Sequence, residues 1–522
     1  MLPFICSAGL VALAVSHPTP ARPRLVVLIA VDQLRPDYLD RYRDQWSGGF
    51  RRLLDRAAYY PDGQQDHALT QTAPGHASML SGRFPEHTGI LSNARGVEDP
   101  TAPLLAGSGT GASPRRFQGT ALYDWILARD SAARVLSVSR KDRGAILPVG
   151  RARGQVFWYV DGTFSTSRYY GDTLPAWVVR FNQRQGAQHM AGATWNPLLP
   201  PDRYAEPDSM PFENNGADFV FPHRFPDSPG KVAQDLPSFP WIDSLTLDFA
   251  LEGVPAVRLG NREGTDLLTI SLSATDAVGH AFGPDSRELH DMLLRLDHWL
   301  GRFMDSLGVL VPSNQTVFVL TSDHGVQSFP EWTTGVRHEP GGRVWLADLV
   351  RGTAANLRMR YLTDFQFEFD DGLLSADLPL LRAHGINPDS LANLLAEQAR
   401  SRPGVTRVFT PATLRAAPAT DREARLWRHD LGPHAGWLFA AVLAPGFTWQ
   451  SSGGSTSHGT TNRLDTTIPI AFWGPGIRPG RYSRPVNSVD IGPTLAALVG
   501  VTPTEPVDGV VLREVVTVPS TH

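Results

Sequence analysis

Thr72 lies in the run Thr72-Ala73-Pro74-Gly75-His76-Ala77-Ser78, and residues 76–80 can form a helix. Proline suits a helix start, where its missing N–H is no loss. The spacing predicts Thr72 at the mouth of a helix, beside free backbone N–H groups and the positive dipole end. That is an anion site, and phosphate is its natural guest. A threonine hydroxyl is a weak nucleophile, so it needs a base or a cation to lower its pKa. Taken alone, the stretch is better described as an ordinary N-cap.

The acids and histidines elsewhere change that reading. Three apolar runs, residues 24–31, 266–274 and 316–320, lead into Asp32, Asp276 and Asp323. His280 follows Asp276 by four residues and His324 follows Asp323 directly, while His458 sits in the glycine-serine loop 453–459. A spacing of four puts Asp276 and His280 on one face of a helical turn. Capping accounts for one acid at a strand end, Asp32 included, but not for the recurrence. Carboxylate and imidazole without thiolate suit zinc. Six such groups are too many for one open catalytic site. They suit two ions about 4 Å apart, as used to clamp the attacking and leaving oxygens of phosphoryl transfer. Lys141 and Arg143, two apart, would face one anion together from an extended segment. A solvated basic turn with Asp142 as counter-charge is the plainer alternative. Asn93 can donate an amide hydrogen bond to the same anion or simply form a turn.

These groups need a scaffold. The apolar runs read as fully buried strands of a parallel sheet, whose C-terminal edge is where open α/β folds bind ligands. Helices are expected over 36–55, 285–307, 388–400 and 490–498, and further strands over 135–138, 437–443 and 468–473. Residues 157–170, dense in aromatics and hydroxyls, read as a hairpin or a pocket wall. The expected class is α/β: a mostly parallel central sheet flanked by helices, with inserted cap segments. One catalytic domain over 23–515 carries insertions near 98–240 and 326–435, where prolines and aromatics show no clean period.

Hydrophobic residues make up 42% and charged residues 19% of 522, enough for an ample core. A net charge of −4 without basic runs argues against nucleic acid as a stable partner, and no apolar run is long enough for a membrane span. Residues 1–22 read as a signal peptide and tail, with an apolar stretch over 2–15 and a cleavage site at Ala14-Val15-Ser16. The single cysteine, Cys6, falls inside it. The mature chain would then have neither disulfides nor thiolate metal sites, and its place would be periplasmic or secreted.

The motifs together resemble the alkaline phosphatase superfamily, and most closely its phosphate-irrepressible phosphomonoesterase branch, near the nucleotide pyrophosphatase/phosphodiesterases. The matching pieces run in family order through nearly the whole mature chain: residues 31–39, 72–78, 139–146, 275–280, 322–325 and 457–459. The resemblance implies one zinc held by Asp276, His280 and His458. It implies a second held by Asp32, Asp323 and His324, with Thr72 bound to it as nucleophile. Lys141 and Arg143 match a basic pair that contacts the phosphate oxygens, and Asn93 matches a residue doing likewise. His76 is read as structural. The implied chemistry is two in-line displacements on a small-molecule phosphate monoester, by a chain expected to be monomeric. The alternative within the same fold is a phosphodiesterase, whose substrate carries one negative charge and a second substituent.

Overall fold

The computed structural model describes residues 22–184, 187–432, 435–450 and 455–517. The expected signal peptide, with Cys6 and its cleavage site, lies outside them, as do Gly453 and Gly454.

The strand Leu25–Val31 is wholly buried and sits mid-sheet. It pairs in parallel with Asp266–Leu272 on one side and Thr316–Thr321 on the other. Val135–Ser139 and Gln155–Val160 extend the parallel block, and Thr163–Ser165 closes that edge antiparallel. At the other side Thr467–Trp473 runs antiparallel between Thr316–Thr321 and Ala58–Gln64. Alternate residues of the central strand feed two cores. Val27, Ile29 and Val31 join one cluster, while Val26, Leu28 and Ala30 join another. Both faces are covered by helices, which is why the strand carries no polar alternation. The helices Trp241–Val257 and Arg287–Leu310 contribute to the first core, and Thr72–Ser81, Leu122–Arg129 and Ile491–Val499 to the second.

Part of the stretch 98–240 belongs to this sheet, because the strands between Val135 and Ser165 pair within it. The stretch 326–435, with the strand Trp437–Leu443 that follows it, forms a separate antiparallel sheet, ordered Phe367–Asp370, Leu373–Ala376, Trp437–Leu443, Val405–Phe409. The helix Pro388–Arg400 shares its core.

The single helix expected over 36–55 is broken into Pro36–Arg41 and Gly49–Arg56. The buried Asp297 carboxylate accepts the N–H groups of Ser47, Gly48 and Phe50 at 2.8, 2.6 and 2.7 Å. It thereby supplies the N-terminal cap of the second helix from a distant element. A side chain at Gly48 would overlap the Asp297 backbone.

Another buried acid makes folding pH-dependent. Glu213, 2% exposed, has an unpartnered carboxylate oxygen. Burial, then Glu288 and Asp208, push its pKa from 4.5 up to about 9. The folded chain therefore keeps a proton that the unfolded chain releases above pH 4.5, so stability falls as pH rises through that window. Glu213→Gln cannot ionise. We expect it to gain about 1–3 kcal/mol over the parent at pH 9.5 and much less at pH 5, read from urea midpoints. An advantage independent of pH would count against this account.

Candidate active site

Four neighbouring parallel strands deliver the site. In sheet order they are Thr316–Thr321, Leu25–Val31, Asp266–Leu272 and Val135–Ser139. Val31 is level with Leu272 and Ala30 with Thr321, so their C-terminal ends form one edge. Immediately past these ends come Asp323 and His324, Asp32, Asp276 and His280, and Lys141. Asp276 and His280 share the helix Ala274–Phe282, with Nε2 of His280 3.3 Å from a carboxylate oxygen of Asp276. His458 approaches from its loop to 3.8 Å of the same oxygen.

Thr72 is the first residue of the helix Thr72–Ser81, with extended Gln71 as its cap, and all ten helical residues are buried. Gly75 permits this position, since a Cβ there would overlap the Asp323 backbone. The Thr72 hydroxyl stands 3.2 Å from Nζ of Lys141. That ammonium lies 2.9 Å from Asp32 and 2.7 Å from Asp276. Asn93 accepts the Ala73 N–H at 2.9 Å through its side-chain oxygen, so it sits at the same helix mouth.

Four histidines share one arrangement. Nδ1–H of His76, His280, His324 and His458 donates to the carbonyls of Thr72, Thr456, Gly325 and Thr70, at 2.7–3.0 Å. Nε2 of each is thereby left as the lone-pair nitrogen facing the carboxylates, the orientation in which imidazole binds a metal. Nε2 of His76 and of His324 is buried without a hydrogen-bond partner, as is one oxygen of Asp323. Two groups have ligand atoms all within 4.8 Å of one another: Asp276, His280 and His458, and Asp32, His76 and Asp323. His324 stacks at 3.6 Å on His458, its Nε2 3.3 Å from Asp323. All six expected ligands thus converge, and His76 joins them.

Electrostatics follow from three buried carboxylates around one lysine. Burial raises the Asp32 and Asp276 carboxyls, yet Lys141 and the nearby histidines outweigh it and hold both below the usual range. Asp323 lacks that closeness, so burial and then Asp32 push it up to about 7. Burial pulls the His324 imidazole down to about 4 and, with His324 and His280 alongside, lowers His458 too. Burial lowers the His280 imidazole as well, yet the Asp276 carboxylate beside it outweighs that and raises it. Carboxylate oxygens and imidazole nitrogens converge here. Such a donor set fits hard or borderline dications.

The extended segment expected to aim Lys141 and Arg143 the same way ends sooner than the spacing assumed. Lys141 is the last extended residue, and a helix begins at Asp142. Helical backbone, not an extended run, therefore sets the direction of Arg143. Arg143 pairs with Asp142 at 3.5 Å and lines an adjoining cleft of about 400 Å³ with Lys141 and Trp158.

The site opens into a cleft of about 470 Å³. Gln71, Asn93, His280 and His458 line it, and facing residues 369–371 come from the hairpin Phe367–Asp370/Leu373–Ala376 of the second insertion. Neither Gln71 nor this hairpin stood out in the sequence. Gln71 belongs to no motif, and the hairpin falls in an aperiodic stretch.

The crystal structure of wild-type alkaline phosphatase PafA superimposes with a TM-score of 0.87 at 28% identity, covering 95% of this chain and 99% of that one. The architecture is therefore alkaline phosphatase-like. The chain belongs to the type I phosphodiesterase/nucleotide pyrophosphatase family, whose model matches residues 26–346. It is 33% identical to alkaline phosphatase PhoV of Synechococcus elongatus, over 92% of this chain and 90% of that protein. It is 31% identical to alkaline phosphatase PhoK of a Sphingomonas species, over 93% and 90%. Among the described residues no helix is long and apolar enough to cross a membrane.

Proposed function

We propose that this chain hydrolyses small-molecule phosphate monoesters through a phospho-Thr72 intermediate, with two zinc ions bound. One observation carries the reading. The Thr72 hydroxyl lies at a buried helix N-terminus, 3.2 Å from a lysine ammonium and beside converging carboxylates and imidazoles. Asp276, His280 and His458 would hold one ion, and Asp32, Asp323 and His324 the other. When bound, the ions supply Lewis-acid charge that lowers the hydroxyl pKa and stabilises the leaving oxygen.

The rest falls to side chains. Thr72 Oγ gives up its proton to solvent and attacks phosphorus, and the bond to the ester oxygen breaks, that oxygen taking one proton from solvent and leaving as an alcohol. Water then attacks phospho-Thr72, breaking the P–Oγ bond and releasing phosphate. Lys141 and the helix N–H groups face the charge that builds on the non-bridging oxygens. Asn93, held against the Ala73 N–H, leaves its amide N–H₂ as a donor for the same oxygens. Export is part of the same proposal, supported by the apolar run 2–15. The N-terminal sequence of chain recovered outside the cytoplasm checks it.

Lys141 tests substrate class. A monoester dianion gains more from an ammonium than a diester monoanion does. We expect Lys141→Ala to lower monoester kcat/KM about 10²–10³-fold and diester kcat/KM by clearly less. A parent enzyme that prefers diesters, and whose diester rate ignores Lys141→Ala, would establish the phosphodiesterase alternative instead.

A further inference from the structure

Gln71 immediately precedes Thr72 and is 3% exposed. Its amide is fully engaged. The side-chain oxygen accepts the backbone N–H of Asn93 at 2.7 Å. The side-chain nitrogen donates to Asp370 at 2.8 Å and to Asp371 at 2.6 Å. Asn93 in turn accepts the Ala73 N–H. One residue thus links the start of the nucleophile helix, the loop bearing Asn93 and the hairpin tip that walls the cleft. These segments are 22 and about 300 positions apart in sequence, so the link is tertiary.

We propose that Gln71 is a positioning residue for phosphate recognition, acting through Asn93, and that it also docks the second insertion over the cleft. This rests on the function proposed above. The physical argument is one of directions. Asn93 has three anchors: its backbone N–H on Gln71, its side-chain oxygen on Ala73, and its carbonyl, which accepts the Gly96 N–H at 3.2 Å within its own turn. Together they fix the amide plane and aim the remaining N–H₂ at the helix mouth. Losing the Gln71 anchor removes the one tie between the Asn93 backbone and the nucleophile helix, leaving its turn bond to Gly96 and the side-chain contact with Ala73, so the loop can shift and re-aim the amide. A misaimed donor is worth little, because hydrogen bonds weaken steeply with angle. The two links are chemically separable. A carboxylate at position 71 keeps an acceptor for the Asn93 N–H, but it offers no donor to Asp370 and Asp371 and repels them.

The test is a double-mutant cycle on the metal-loaded enzyme, reading aryl phosphate kcat/KM and the inhibition constant of inorganic phosphate. Gln71→Ala is expected to cost roughly 10-fold in kcat/KM and to weaken phosphate inhibition similarly in the parent, but to cost under about 2-fold in an Asn93→Ala background. Gln71→Glu is expected to keep phosphate inhibition near the parent value. It should change the ranking of bulky against small leaving groups, because only the hairpin wall is released. A merely structural role would lower rate equally in both backgrounds, and that additivity would overturn the proposal. So would full retention of phosphate inhibition in Gln71→Ala. If Gln71→Ala does not fold, the cycle is run with Gln71→Glu and Gln71→Met. Gln71→Met must then reproduce the loss and Gln71→Glu must not. A parent that hydrolyses no phosphate ester sinks this inference together with the function. Additivity in an active parent sinks only this one.

Discussion

Replacing Thr72 with alanine should abolish turnover while leaving the site able to bind phosphate. The expected loss in kcat for an aryl phosphate is about 10³–10⁵-fold, the scale seen when a nucleophile is removed but the surrounding charge remains. The geometry argues for a clean separation. The Thr72 hydroxyl has a single protein partner in the described structure, Lys141 at 3.2 Å, and that lysine keeps Asp32 and Asp276 without it. Alanine is also a good helix former at this position. The helix cap is formed by other groups, since Asn93 already takes the Ala73 N–H. Folding and metal content should therefore match the parent, and the inhibition constant of inorganic phosphate should change by less than about tenfold. Thr72→Ser, which keeps the hydroxyl, should retain most activity and form a phospho-enzyme trapped by acid quench. Full metal-dependent hydrolysis by Thr72→Ala would show that another group attacks phosphorus.

The parts of this site that were readable share a physical signature. Asp32, Asp276 and Asp323 each follow a wholly buried strand, and a charged residue there breaks an apolar run that leaves little doubt about its end. His280 was readable because a helix repeats about every four residues and the segment after Leu272 is helical. The helical backbone at Arg143 was not readable, because no residue at Asp142 announces the change from the extended segment that ends at Lys141. The break at Gly48 depends on Asp297, some 250 residues away, and local pattern carries no trace of it. Gln71 and the hairpin are of the same kind. Their roles lie in tertiary hydrogen bonds between segments whose own sequences look like ordinary loop.

Stripping the metal is expected to have the other large effect, and it also decides between two histidines. Three buried carboxylates surround one lysine, so dialysis against a chelator leaves repulsion that bound dications would relieve. Activity should fall below about 1% of the parent and return with added zinc, and the melting temperature should drop by roughly 5 °C or more. Sequence resemblance assigns the second ion to His324, whereas spatial grouping puts His76 with Asp32 and Asp323. Both rings spend Nδ1–H on a carbonyl and turn Nε2 inward. Their surroundings differ. His324 lies against the His458 ring, between the two acid groups, while His76 is carried on the nucleophile helix with its Nε2 3.5 Å from Asp32. We infer on that ground that His324 is the ligand and that His76 is a structural neighbour of Asp32 carried on the nucleophile helix. His324→Ala should therefore lower bound zinc from about two per chain to about one, with activity nearly lost. His76→Ala should keep close to two and lose stability first. Zinc counting on both variants reads this directly, and the reverse pattern would hand the ligand role to His76.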